Sequence, residues 1–142
     1  MKNSDILIDN PLWVVDVGAR GGMHPRWLGF MPFYKGVLFE PDPTEYELLK
    51  NSSGKNLTVL NSALSDSATT LDLHLCRSPG TSSVFKPNIA FLNQFPDSER
   101  FDVIEKIRVK TDTLDNQLKK ANISEIDFIK IDTQGYELAI LK

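Results

Sequence analysis

Residues 13–22 read WVVDVGARGG, an apolar run that contains one carboxylate, Asp16, and continues into three glycines. A nearly continuous apolar run rich in β-branched residues is typical of a strand that is covered on both faces. Gly18 allows a tight turn and a close approach of the backbone to a ligand. We therefore predict a strand over Leu12–Val17 that is followed by a ligand-binding turn.

A second segment near the other end of the chain has the same organisation. Residues 126–137 read IDFIKIDTQGYE, so that an apolar run over residues 126–131 stops at Asp132 and then turns through Gly135. In an open α/β sheet, ligands bind outside the carboxyl ends of the strands. We therefore expect the two segments to line one site.

Further strand patterns lie between these two segments. Two of them are short apolar runs, and two alternate between apolar and polar residues, as half-exposed strands do. These predicted strands are residues 36–40, Leu57–Leu60, residues 69–75 and residues 103–109. The alternation over residues 69–75 predicts an antiparallel strand.

Helix signals are found between the strands. The predicted helices are Pro25–Phe30, residues 44–50, residues 113–121 and residues 135–142. Asp42 or Thr44 is suited to cap the second helix and Thr113 the third, because their side chains accept hydrogen bonds from free backbone N–H groups. Residues 51–55 and 78–83 are predicted to be loops, and residues 85–96 have no assignment.

Length and composition restrict the class of protein. The 142 residues suffice for one domain, and a net charge of −3 gives no general attraction to nucleic acid or to an anionic membrane. The single cysteine, Cys76, excludes an intrachain disulfide, and we interpret it as a small buried hydrophobe. Residues 1–11 contain no apolar run long enough for a signal peptide, and no segment has the length of a membrane helix. We expect a cytoplasmic protein.

The carboxylate before the glycine turn indicates what kind of ligand binds there. Asp16 would repel a pyrophosphate, whereas it would attract an ammonium group, so S-adenosylmethionine with its amino-acid tail fits better than NAD. Glu40 follows Gly22 by 18 residues, and an acid at about this distance accepts hydrogen bonds from ribose hydroxyls. The alternative is that both carboxylates only cap helices or turns.

These residues carry a family resemblance, because the chain resembles the FkbM-type methyltransferases, a branch of the Rossmann-like enzymes that use S-adenosylmethionine. The matching segments occur in order along the chain and read VDVGARGG (15–22), FEPDP (39–43), NSALSD (61–66), SS (82–83), TLD (113–115) and DFIKIDTQGYE (127–137).

The resemblance implies an α/β fold of the Rossmann-like methyltransferase type. Such a fold has a mostly parallel sheet with helices on both faces, and the family's sheet normally continues with further strands. We therefore expect residues 1–142 to form a single methyltransferase-like domain that is truncated after the fourth core strand.

The resemblance also implies an activity and its site residues. The family moves a methyl group from S-adenosylmethionine to an oxygen, often on a sugar or another small metabolite. By resemblance, the methionine end of the cofactor lies near the glycine turn, the ribose near the end of the second strand and the adenine edge after the third. The implied cofactor-binding residues are Asp16, Gly18, Ala19, Gly22, Glu40, Pro41, Ser62, Ala63 and Asp132.

Two carboxylates are candidates for the catalytic base, since a hydroxyl acceptor must lose its proton. Asp132 has the better location, at the end of its strand, and Glu137 is the second candidate. Both have structural alternatives, because Asp132 could cap the helix that follows and Glu137 would favour the helix macrodipole in any case. Gln134 stands where the family usually has Glu, which leaves catalytic competence open.

The expected partner is a small-molecule or glycan acceptor, with no nucleic acid and no membrane, and homo-oligomerisation is left open. No metal site is predicted, because the two histidines are distant and no Cys/His spacing resembles a zinc site. An alternative hypothesis is a non-catalytic fragment of a larger glycan-modifying protein that binds the cofactor or a partner. A third, an enzyme that uses NAD or a nucleotide sugar, conflicts with Asp16.

Overall fold

The computed structural model describes residues 7–142, which fold into two β-sheets joined by short helices. The strands are β1 (Leu12–Val17), β2 (Tyr34–Phe39), β3 (Leu57–Leu60), β4 (Ala63–Leu64), β5 (Thr70–Cys76), β6 (Val103–Asp112) and β7 (Phe128–Ile131). The α-helices discussed below are α1 (Pro43–Ser52), α2 (Ile89–Leu92), α3 (Leu114–Lys120) and α4 (Glu137–Ile140). Short 3-10 helices cover Pro25–Phe30, Pro79–Thr81 and Ser98–Phe101.

The larger sheet is entirely parallel, in the order β3-β2-β1-β7. Its register places Val17 beside both Phe39 and Ile131, and Phe39 beside Leu60. All four strands therefore end at one level, and the residues that follow them share the carboxyl edge of the sheet. This geometry confirms an α/β architecture with a mostly parallel sheet, and it makes β1 and β7 direct neighbours.

The smaller sheet has the order β4-β6-β5, in which β5 and β6 are antiparallel. This confirms the antiparallel strand predicted over residues 69–75. Strand β6 continues to Asp112, beyond the predicted range, because its last residues pair with β4. The two-residue strand β4 was not predicted, since two residues show no periodicity.

The core of the chain lies on both faces of β1 and β2. The adjacent residues Val14 and Val15 point to opposite faces, and both are at most 1% exposed, which confirms that β1 is a fully covered strand. Cys76 is also buried, as predicted. The buried residues that form the main cluster are Val15, Val17, Val37, Phe39, Leu64, Ile123 and Ile140.

Several predicted boundaries differ from those of the structure. Pro25–Phe30 is a 3-10 helix, and β2 begins at Tyr34, whose ring is buried. Strand β7 begins at Phe128. Just before it, the Asp127 carboxylate accepts the backbone N–H of Trp13 at 2.7 Å, and the Asp127 N–H donates to Trp13 O at 2.9 Å. Residues 85–96, which had no assignment, contain α2.

The helix ends are set by side-chain caps. Asp42 caps α1, since its Oδ1 accepts the backbone N–H of Thr44 at 2.9 Å, and Thr113 caps α3 as predicted. Helix α4 is shorter than predicted because Gln134 and Gly135 have φ angles of 57° and 106°. These left-handed conformations form a turn that delays the start of the helix.

The expectation that the chain begins without a signal peptide concerns a stretch whose first six residues lie outside the described part. Within residues 7–142, none of the helices has the length and the apolar character needed to cross a bilayer.

Gly18 and Asp132, which directly follow β1 and β7, approach each other closely at the carboxyl edge. Gly18 has a φ of +75°, and a Cβ atom placed on it would lie 2.1 Å from the backbone oxygen of Asp132. The backbone N–H of Asp132 donates to Val17 O at 3.0 Å, and the N–H of Gly18 donates to Phe39 O at 3.1 Å. A side chain at position 18 would therefore separate the ends of β1 and β7.

We expect Gly18→Ala to lower the free energy of unfolding by about 2–4 kcal/mol. The left-handed backbone accounts for about 1 kcal/mol of this loss and the collision with Asp132 for the rest. Gly21→Ala is the matched control, because Gly21 has a φ of +78° but no atom within 4 Å of an added Cβ. Urea denaturation should find a loss of only about 1 kcal/mol for the control. Equal losses in the two variants would contradict the steric argument.

Candidate functional site

A cavity of about 250 Å³ lies at the carboxyl edge of the parallel sheet, where β5 covers it. It brings together six of the residues predicted to bind the cofactor or to act in catalysis. These residues are Gly18, Glu40, Pro41, Ser62, Ala63 and Asp132. The other four, which are Asp16, Ala19, Gly22 and Glu137, lie next to it without lining it.

Glu40 presents a carboxylate to this cavity from the end of β2. The residue is 4% exposed. Burial raises the pKa of Glu40 to about 6, although the N–H of Asp42 and the charge of Arg20 oppose the rise. Its Oε1 accepts the Asp42 N–H at 2.9 Å, and within the described residues its Oε2 has no hydrogen-bond donor. A ligand hydroxyl in the cavity could donate to this oxygen.

Arg20 fixes the glycine turn to the start of α1. Its guanidinium donates to Asp42 at 2.5 Å and to Glu45 at 3.0 Å. Glu45 also accepts the backbone N–H of Gly21 at 2.9 Å. Because both acceptors are carboxylates, the arginine is already committed to contacts within the protein, although it lines the cavity.

Asp16 is buried beneath the glycine turn and forms an ion pair with Lys130 of β7. Lys130 Nζ lies 3.0 Å from Asp16 Oδ1 but is oriented to donate to the carbonyl oxygen of Gly18, at 3.1 Å. Asp16 Oδ1 therefore has no hydrogen bond among the described residues. Burial raises the pKa of Asp16, and the Lys130 ammonium acts in the opposite direction.

Lys130 lines the cavity, whereas Asp16 does not. This cation was not among the residues predicted from the sequence, which included only the carboxylate. A signal was present in the sequence, since a lysine within the apolar run FIKI needs a partner for its charge. The register supplies that partner, because Lys130 lies opposite Asp16. Strand β7 was expected to be buried like β1, but it lies at the end of the sheet and is only partly buried, with Phe128 exposed.

Asp132 is exposed at the rim of the cavity, directly after β7. Its Oδ1 accepts a hydrogen bond from the side-chain amide of Gln134 at 2.7 Å. Its Oδ2 has no donor within the described residues. One carboxylate oxygen is thus held in place, and the other remains available to a ligand.

Glu137 is engaged by the turn that precedes α4. Its Oε1 accepts the backbone N–H of Thr133 at 2.9 Å and that of Gly135 at 3.1 Å. The pKa of Glu137 is lowered by the N–H groups of its own backbone and of Thr133, with a smaller effect from Gly135. These contacts give Glu137 a structural role in the turn, and its catalytic role stays a prediction.

Two residues of the glycine turn, Ala19 and Gly22, do not line the cavity. The backbone N–H of Ala19, which is buried, donates to Phe39 O at 3.1 Å. Gly22 has a φ of +86°, and an added Cβ would touch Leu49 at 3.4 Å. The Ala19 bond fixes the turn to the end of β2. The predicted contact of Ala19 and Gly22 with the cofactor stays a prediction.

The segments after β3 and β5 close the cavity on the opposite side. The side-chain amide of Asn61 donates to Glu40 O at 3.0 Å, which joins the ends of β2 and β3 beside Ser62. Ser83 Oγ donates to the carbonyl oxygen of Gln134 at 3.0 Å. This bond connects the segment after β5 to the turn that follows Asp132.

Comparison with known proteins gives a consistent result. A family model described as the methyltransferase FkbM domain matches residues 16–142. The chain is similar to the methyltransferase sdnD of Sordaria araneosa, with 28% identity over 159 residues that cover 96% of this chain and 61% of that protein. The chain thus spans about three fifths of the length of this curated relative. No solved structure matches the chain.

The raised pKa of Glu40 makes the stability of the ligand-free chain depend on pH. Folded Glu40 releases its proton at a higher pH than unfolded Glu40 does. The free energy of unfolding therefore falls as the pH rises from 4.5 to about 6, and it stays lower above that range. A shift of this size corresponds to about 2 kcal/mol. We expect Glu40→Gln to stabilise the chain by up to about 2 kcal/mol at pH 7.5 and by almost nothing at pH 4.

Urea denaturation at both pH values measures this difference. Gln keeps an acceptor for the Asp42 N–H, so the variant removes only the charge. Glu47→Gln, an exposed position on α1, is the control and should show no pH-dependent gain. A stabilisation that is the same at pH 4 and pH 7.5 would contradict the assigned cause.

Proposed function

The chain belongs to the FkbM methyltransferase domain family, and on this premise we propose that it transfers a methyl group from S-adenosylmethionine to a hydroxyl oxygen of a sugar or another small metabolite. The observation that carries the proposal is the single cavity in which Gly18, Glu40 and Asp132 meet at the carboxyl edge of the sheet. Ligands of open α/β sheets bind at this edge.

The residues of the cavity fit the proposed methyl donor. Glu40 Oε2 is an unused acceptor at the end of β2, where a ribose hydroxyl could donate to it. Leu73 and Leu75 of β5 add apolar side chains to the cavity lining, which suits the adenine ring of the cofactor.

In the proposed reaction the cofactor supplies a methyl group on a sulfonium, which is a good leaving group. The main contribution of the chain is then to hold the two reactants in line. We assign Asp132 Oδ2 as the acceptor of the proton from the acceptor hydroxyl, while the amide of Gln134 holds Oδ1. Gln134 itself is held by Ser83 through its carbonyl oxygen.

A non-catalytic role remains the second candidate. The chain spans about three fifths of its curated relative, and the rim of the cavity beside Asp132 is exposed. In this case the chain would bind the cofactor without transferring its methyl group. The measurements that follow separate binding from transfer.

We expect wild-type protein to bind S-adenosylhomocysteine in isothermal titration calorimetry and Glu40→Ala to bind it at least tenfold more weakly. The variant removes the acceptor for the ribose hydroxyls, a contribution of about 1.5–3 kcal/mol for a charged hydrogen bond. Glu47→Ala should bind like wild type, since Glu47 is exposed on α1. Wild-type affinity in Glu40→Ala, or tight binding of NAD instead, would contradict the cofactor assignment.

We expect Asp132→Asn to bind S-adenosylhomocysteine with an affinity close to that of wild type but to transfer methyl groups at least 100-fold more slowly, because it lacks the proton acceptor. Transfer is measured with methyl-labelled donor and a panel of sugars and small hydroxylated metabolites. Equal rates for variant and wild type would refute the role of Asp132. Binding without transfer to any acceptor by wild type would favour the non-catalytic alternative.

A further inference from the structure

We propose that Lys130 is a binding residue for the α-carboxylate in the amino-acid tail of the methyl donor. The inference rests on the proposed function, because it takes the ligand to be S-adenosylmethionine or its product. Lys130 was not among the site residues predicted from the sequence. With Lys130 in the site, the ligand meets a positive charge at the glycine turn and not the negative charge of Asp16.

The position of Lys130 is the first observation. Lys130 lines the cavity and Asp16 does not, and the Lys130 ammonium lies 3.0 Å from Asp16 Oδ1. The Lys130 side chain is 40% exposed, whereas that of Asp16 is only 6% exposed. A ligand at this point therefore contacts a cation, with the carboxylate behind it. An anionic group of the ligand is favoured there.

The donor capacity of Lys130 is the second observation. An ammonium has three N–H donors, and one of them is used by Gly18 O at 3.1 Å. A second can be taken up by the ion pair with Asp16 Oδ1, which lies 3.0 Å away. Lys130 thus keeps donor capacity for a carboxylate in the cavity.

The other cation of the cavity lining does not offer an equivalent donor set. Among the described lining residues, Arg20 is the second cation, and it already bonds the carboxylates of Asp42 and Glu45. Glu40 and Asp132 contribute negative charge elsewhere along the lining. Lys130 is therefore the cation best placed to neutralise a ligand carboxylate.

The charge of Lys130 matches one group of the ligand's tail. The amino-acid tail carries an ammonium and a carboxylate on one carbon atom. Lys130 lines the cavity and is suited to the carboxylate. Asp16 Oδ1 is buried and lies 3.0 Å from Lys130 Nζ, so Asp16 orients the lysine and does not itself meet the ligand.

Calorimetry with three ligands tests this assignment without a methyl acceptor. The ligands are S-adenosylhomocysteine, its decarboxylated analogue, which lacks only the carboxylate, and 5′-methylthioadenosine, which lacks the tail. We expect wild type to bind S-adenosylhomocysteine at least tenfold more tightly than the decarboxylated analogue. In Lys130→Met this preference should fall to less than twofold, and the affinity for 5′-methylthioadenosine should not change.

A second variant keeps the test valid if Lys130→Met does not fold. The single substitution leaves the Asp16 carboxylate buried without its cation, which destabilises proteins strongly. The double variant Asp16→Asn/Lys130→Met removes both charges. Circular dichroism monitors its folding, and it should bind S-adenosylhomocysteine no more than about twofold more tightly than 5′-methylthioadenosine.

The outcomes separate this inference from the proposed function. Unchanged or tighter binding of S-adenosylhomocysteine by Lys130→Met, or an undiminished preference for the carboxylate in either variant, would overturn the role of Lys130. A wild-type chain that binds all three ligands equally would also overturn it, while leaving nucleoside binding intact. A wild-type chain that binds none of them would refute the proposed function and the Lys130 subsite together.

Discussion

The contact between the backbones of Gly18 and Asp132 is the constraint on which the site depends. A Cβ atom at position 18 would lie 2.1 Å from the Asp132 oxygen, so only glycine lets β1 and β7 end side by side. That closeness brings Lys130 within reach of both Gly18 O and Asp16. It also places the Asp132 carboxylate at the rim of the cavity that Glu40 lines. Steric and electrostatic features of the site thus have one origin.

The charges at this edge are not those of the predicted carboxylates alone, because Lys130 adds a positive charge. Asp16 is neutralised from the cavity side by Lys130, so it contributes through an ion pair and not as a bare anion. Glu40 faces the cavity directly, and its burial raises its pKa to about 6. The repulsion of phosphate that the sequence argument attributed to Asp16 is therefore weakened by its partner. The proposal that the cofactor is S-adenosylmethionine therefore rests on the family membership and on the neighbouring hydrogen-bond acceptors.

The sequence predicted the parts of the fold that depend on local pattern. The covered strand β1 and its glycine turn followed from an apolar run, and the common edge of Gly18 and Asp132 followed from the parallel-sheet rule. Strand β4 was not predicted, because it is defined by its pairing with β6 and its two residues show no pattern of their own. The pairing of Lys130 with Asp16 was not predicted, because it depends on the register between two strands that are far apart in the chain. Contacts of that kind become visible only once the strand order is known.

The buried charge of Glu40 has a consequence for how this protein would respond to selection. Burial raises the pKa of Glu40 to about 6, so the ionised carboxylate is a cost that the ligand-free chain carries at neutral pH. Substitutions that remove such costs are among the easiest ways to raise heat resistance. A laboratory screen for thermal tolerance alone would therefore accumulate changes at Glu40 early, whereas Asp16 would be retained because Lys130 pairs with it. On the proposed function, the most heat-resistant descendants of this chain would have given up a ligand contact.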